Sequence, residues 1–252
     1  MSEVLCPSCG ALQRADSAFC TGCGATSVAS KAEARERHVQ ERQKRKRLKA
    51  GLVAWGALLL LNGAFAFGLG AFDPVEGEAL ATGIMLVPIL LVALPDRGAR
   101  RQLSALGPLR DWLLVPLAVL GIWLFMSLYF FVLGGLGAET FNCAEDYQAA
   151  GLSLWGLPML LTAIMPPLME ETFFRGVLQG RLEAFMSAKE ALIVQAALFS
   201  VLHMAYLNFV SHFVLGLIFG LLRTRTGSLW PGILVHAIWN GMVLFGDWTV
   251  PA

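Results

Sequence analysis

Charge is what this chain has least of. Only 15% of its 252 residues are Asp, Glu, Lys or Arg, against 56% hydrophobic, and the mean hydropathy is +0.63. That balance excludes an ordinary water-soluble domain. The first 50 residues lack an apolar core of signal-peptide length, so the amino terminus is expected to stay in the cytoplasm. No internal repeat is apparent, which weighs against a transporter built from two related halves.

What the chain has in their place is a series of long apolar runs. A membrane span needs about 20 mostly apolar residues. Candidates are Gly51–Phe72, Ala79–Leu94, Trp112–Gly137, Leu152–Leu168, Lys189–Leu207, Phe209–Leu222 and Leu229–Trp248. The expected fold is therefore an all-α, polytopic transmembrane helical bundle of six to eight spans. The formal charge of +1 hides an asymmetry, because residues 31–49 carry nine Lys/Arg against three Glu. Later loops repeat the bias: Pro95–Asp111 holds Arg97, Arg100, Arg101 and Arg110, and Arg223 and Arg225 follow the sixth candidate. Asp73–Glu78 and Ala138–Ala150 hold acids and no Lys or Arg. Positive residues favour the cytoplasmic side, so alternating spans put every Arg-rich loop there.

Composition divides the chain into a cysteine-containing head (1–28), a basic juxtamembrane linker (29–50) and a membrane body (51–252). The linker is rich in helix formers with pairs such as Glu41–Arg45, and reads as a helix that anchors topology and touches anionic lipid. Nucleic acid is not an expected partner, because the basic run abuts a span. The head presents Cys6-x-x-Cys9-Gly and, ten residues on, Cys20-x-x-Cys23-Gly. Two such knuckles can offer four thiolates to a structural zinc, whose binding would fold a segment too small for a core. A disulfide framework is the alternative, disfavoured by a reducing cytoplasm. Cys143 lies far off and reads as a packed or free thiol.

The polar residues inside the apolar runs are few, and an intramembrane ionisable group is a functional candidate by default. Glu170 and Glu171 stand side by side in PPLMEETFFRGVLQGRL. On a helix Glu171 faces Arg175, four residues on, which predicts an ion pair. Glu170 shares a face with Phe174 and is left free for chemistry. Pro166-Pro167 predicts a break or kink just upstream. Further on, Phe199 and His203 share a face, as do His236 and Asn240, and Glu170, His203 and His236 each lie on a separate segment. His212 shows no such partner and reads as structural.

EETFFR, FSVLH and HAIWN match, in order, the motifs ExxxR with a doubled Glu, FxxxH and HxxxN. In that combination, over about residues 150–245, the chain resembles the CAAX prenyl endopeptidase and bacteriocin-processing family of intramembrane proteases, also called the abortive-infection family. The head resembles the short zinc ribbons of bacterial membrane proteins. The family resemblance implies an all-helical membrane bundle that hydrolyses peptide bonds. It makes Glu170 the acid/base, Glu171 with Arg175 its support, and His203, His236 and Asn240 its active-site partners.

Two mechanisms are open to these residues. Glu170 and His203 could activate water while His236 and Asn240 donate to the oxyanion. Alternatively, His203 and His236 could hold a catalytic zinc, although no His-Glu-x-x-His helix exists and such zinc commonly takes three protein ligands. The leading expectation is an endopeptidase of the bacterial inner membrane, acting on a membrane-associated or lipidated peptide, with its head cytoplasmic and open to a protein partner. The rivals are a non-catalytic scaffold that binds through the ribbon and, more weakly, a proton-coupled transporter.

Overall fold

The computed structural model describes residues 3–14, 17–26, 28–67, 72–137, 142–204 and 207–249. Parts of four expected features lie outside those residues: positions 1–2, 15–16 and 27 of the head, 68–71 of the first candidate span, 138–141 of the outer connection and 205–206 of the fifth candidate span. The chain divides into two compact units, Met1–Lys49 and Ala50–Ala252.

In the first unit, β1 (Glu3–Leu5) and β2 (Leu12–Arg14) pair antiparallel with Leu5 opposite Leu12. The turn between them is closed by Cys6 N–H to Ala11 O and by Gly10 N–H to Cys6 O. The same pattern recurs at Cys20, with Cys20 N–H to Ala25 O and Gly24 N–H to Cys20 O. Gly10 and Gly24 sit at φ +72° and +69°, a region that glycine enters without a Cβ penalty. Helix α1 (Val28–Ala66) begins in this unit and contains the basic linker and positions 51–66 of the first apolar run. Glu41 meets Lys44 at 3.5 Å, one residue short of the expected Arg45.

The second unit is helical. α2 (Pro74–Ala93) starts on an Asp73 cap with Pro in its first turn, and α3 (Arg97–Ser104) starts on an Asp96 cap. α4 (Leu114–Gly135) and the short α5 (Glu145–Ala149) follow. Next comes a rod in four parts: wide π-helical turns over Met159–Ile164, α6 (Met165–Glu170), π-helical turns over Glu171–Gln179, and α7 (Gly180–Leu182). α8 (Ala188–Leu202) opens on a Ser187/Glu190 capping box, α9 (Phe209–Thr226) ends at Gly227, and α10 (Trp230–Thr249) closes the described chain.

Against the six to eight spans expected, three helices among the described residues are by themselves long and apolar enough to cross a membrane: Arg35–Phe65, Pro74–Ala93 and Leu109–Gly135. The later expected segments form helices that are shorter or carry polar side chains, and the bundle buries many of these, Gln195, Ser211 and His236 among them. α8 and α9 approach closely because α9 carries Gly216 and Gly220 one turn apart. A methyl on Gly216 would lie 2.8 Å from Ala196 Cα, so the two backbones meet where only hydrogen fits. That approach exposes the Gly216 carbonyl to Gln195 Nε2 (2.8 Å) and Arg175 Nη2 (3.3 Å). α10 packs on the 159–170 part of the rod, on α4 and on α9.

Candidate active site

The site is built on the proline break in the rod. Proline has no N–H to give, and the carbonyl of Thr162 would look for a donor four residues on in an α-helix or five in a π-helix. Those positions are Pro166 and Pro167. Thr162 O is thus orphaned in either geometry, and a buried carbonyl must find another partner. Asn240 of α10 supplies it, donating through Nδ2 at 3.0 Å. The intrahelical hydrogen-bond ladder is interrupted at the proline pair as expected, while the helix itself runs on, with Pro166 taken into the first turn of α6. The wide turns on either side are the kind of irregularity found often at functional sites.

Beyond α6, Glu171 and Arg175 are both buried and pair at 2.9 Å, Arg175 Nη1 donating to Glu171 Oε1. The same carboxylate oxygen lies 3.0 Å from His236 Nδ1. A carboxylate paired with arginine only accepts, so Nδ1 carries a proton, and in the neutral ring Nε2 keeps its lone pair. That Nε2 is 3.8 Å from Glu170 Oε2, which is buried and has no hydrogen-bond partner among the described residues. Aromatic rings fix the cation and the imidazole: Arg175 Cζ lies 4.3 Å from the Phe199 centroid and 5.1 Å from that of Phe219, and Phe219 stacks on His236 at 4.7 Å. Gly232 makes room for Glu171, since a methyl there would come within 3.3 Å of Glu171 Oε2. A cavity of about 110 Å³ adjoins Glu170, walled mainly by apolar groups including Leu58, Met85, Ile89 and Phe173.

The structure therefore brings Glu170, Glu171, Arg175 and His236 into one cluster. Asn240 spends one amide N–H on Thr162. His203, at the end of α8, donates from Nδ1 to Phe199 O at 3.0 Å and reaches the cluster through the Phe199 ring, 4.8 Å from His203 and 6.2 Å from His236. His212, read from sequence as structural, lies 3.8 Å from His203 ring to ring. Thr162 and Gly232 are also part of the arrangement. A Pro-Pro pair four and five residues after Thr162 was the available signal for the first, and nothing in the sequence singled out the second.

Among the described residues, the four head cysteines are the one group of three or more His, Cys, Asp or Glu whose ligand atoms all lie within 4.8 Å of one another. Cys6 and Cys23 sulfurs are 3.8 Å apart, Cys9 and Cys20 3.6 Å. Zinc–sulfur bonds of about 2.3 Å in a tetrahedron give sulfur–sulfur edges of about 3.8 Å, so the four thiols fit a metal. The N–H groups of Ser8 and Cys9 hold the Cys6 thiol down to about 6. Among the described residues, no group of three ligand-bearing side chains gathers at His203 and His236. Cys143 is a free thiol packed beside Tyr147, and burial pushes it up to about 12.

Fold and site together define a helical integral membrane protein with a buried glutamate and histidine centre. Residues 152–242, which hold that whole centre, match the family described as "Type II CAAX prenyl endopeptidase Rce1-like", in agreement with the resemblance carried by the three motifs. The chain is also 23% identical over 209 residues, 77% of its length and 84% of the relative's, to the Bacillus subtilis (strain 168) protein named "Putative membrane peptidase YdiL". No solved structure matches the chain. These likenesses support a membrane-embedded peptidase with a bilayer around it and a peptide as substrate.

Proposed function

We propose that the chain is an intramembrane endopeptidase that uses Glu170 as acid/base, with His203, His236 and Asn240 as partners. The observation that carries this reading is Glu170 Oε2, a buried acceptor without a partner among the described residues, set 3.8 Å from His236 Nε2. Two acceptors at that separation can share one water through hydrogen bonds of about 2.8 Å, leaving the water's own lone pairs free to attack. The geometry favours this pairing of Glu170 with His236 over a pairing of Glu170 with His203.

Water oxygen bonds to the scissile carbonyl carbon while its proton passes to Glu170 Oε2. The oxyanion meets the second N–H of Asn240. Collapse breaks the C–N bond, and Glu170 returns the proton to the leaving nitrogen, releasing an acid and an amine. Glu171 and Arg175 position His236, and His203 serves as a further base through its own Nε2. No step is routed through a metal. The substrate is a membrane-associated or lipidated peptide, and the setting is a bacterial inner membrane with the Arg-rich loops and head in the cytoplasm. The head holds zinc and offers a surface to a protein partner.

Glu170→Gln in the purified full chain, assayed on a panel of quenched fluorogenic lipopeptides, tests the reading. Cleavage is expected to fall by at least about 100-fold. A wild-type chain that cleaves nothing, with a cellular phenotype unchanged by Glu170→Gln, would favour the scaffold instead.

A further inference from the structure

The second histidine of the α8–α9 corner is the feature that neither the motifs nor the catalytic cluster account for. His212 stands in the first turn of α9 and donates from Nδ1 to Asn208 O at 2.8 Å, the same arrangement that His203 makes with Phe199 O. A carbonyl only accepts, so both rings carry their proton on Nδ1 and both present Nε2 as a lone pair on the far side of the ring. Neither Nε2 has a hydrogen-bond partner among the described residues. The rings lie 3.8 Å apart with a tilt of 36°, and Phe199 meets the edge of the His203 ring from another side.

The corner that carries them is fixed from several directions. Asn62 of α1 donates to Leu202 O, Tyr129 of α4 donates to Leu207 O, and Ser200 Oγ donates to Phe209 O at 2.5 Å. One hydrogen bond leaves an imidazole free to swing about it, and a second ring across its face removes that freedom.

We propose that His212 is a positioning residue of the active site, whose stacked ring holds the imidazole of His203 in the plane that presents its Nε2 lone pair. This rests on the assignment of His203 to the peptidase site.

The test uses the full chain with His212→Ala and His212→Phe, the second keeping a ring to stack. Diethyl pyrocarbonate, which acylates an unprotonated imidazole nitrogen, is the probe, and its reaction at His203 is timed by peptide mass spectrometry. On lipopeptides, kcat and KM are measured in parallel. His212→Ala is expected to speed modification of His203 several-fold and to lower kcat by about 10-fold with KM little changed, as misplacement of a catalytic group does. His212→Phe is expected to stay near wild type in both. The proposal falls if His212→Ala leaves modification and kcat unchanged. It also falls if His212→Phe loses as much kcat as His212→Ala, since His212 would then do chemistry itself. Glu170→Gln, run in the same assay, separates the two claims: full activity there removes Glu170 as the acid/base, while the modification rates still report on the stack.

Discussion

Asn240 donates its side-chain amide to Thr162 O, the backbone carbonyl that Pro166 and Pro167 leave without an intrahelical donor. One hydrogen bond thereby ties α10 to the rod that carries Glu170. Removing it leaves a buried carbonyl unsatisfied, which costs about 1–3 kcal/mol. Asn240→Ala is expected to destabilise by that amount in denaturant unfolding. In a Pro166→Ala background an N–H returns at position 166, so the same substitution is expected to cost less. An equal cost in both backgrounds would break the link between the prolines and Asn240.

Arg175 is buried between two phenylalanine rings and neutralises Glu171. Arg175→Met strands a buried carboxylate, a change that costs about 3–5 kcal/mol when one partner of such a pair is lost. Arg175→Met with Glu171→Gln is expected to recover much of that stability without recovering activity, because Gln no longer holds the His236 tautomer as a carboxylate does. Arg175→Lys is expected to fall short of wild type, since a guanidinium stacks on the rings and a point charge does not. Thermal unfolding and lipopeptide cleavage read the two effects separately.

Gly232 and Gly241 on α10 form a matched pair. A methyl at Gly232 presses on Glu171 at 3.3 Å, and Glu171 cannot retreat from Arg175 and His236 without breaking both contacts. A methyl at Gly241 meets Ala163 Cβ at an ordinary 3.8 Å. Gly232→Ala is expected to lower kcat by about 10-fold or more, and Gly241→Ala to leave it near wild type. Equal kcat in the two variants would count against Glu171 as the support of His236.

The head cysteines should release metal with acid. Thiolates bind metal and protons compete for them. In the metal-free head the Cys6 thiol is held down to about 6 while the neighbouring thiols push Cys9 up to about 12, so metal must displace protons from the cluster and acid reverses that exchange. Zinc bound to the full chain is expected to be retained between pH 7 and 9 and released below about 6, one ion per chain, with loss of order in the head. Release that is independent of pH would exclude a cysteine site.

Much of this protein was legible without coordinates. The apolar runs make helices because a bilayer leaves the backbone no other partner, and the Glu171 to Arg175 spacing sets a pair that helical geometry enforces. The two knuckles likewise follow from CxxC spacing and the glycines after them. The tertiary structure alone decided which groups meet. His203 stands at the last turn of α8 and His236 in the second turn of α10, so counting along the chain puts them at different depths, yet Phe199 contacts both rings. That meeting depends on how closely α8 and α9 pack at Gly216 and on where α10 is tied to the rod at Thr162, and both rest on contacts between residues distant in sequence. For the same reason the pairing of Glu170 with His236 and the stacking of His212 on His203 could be seen only once the helices were in place.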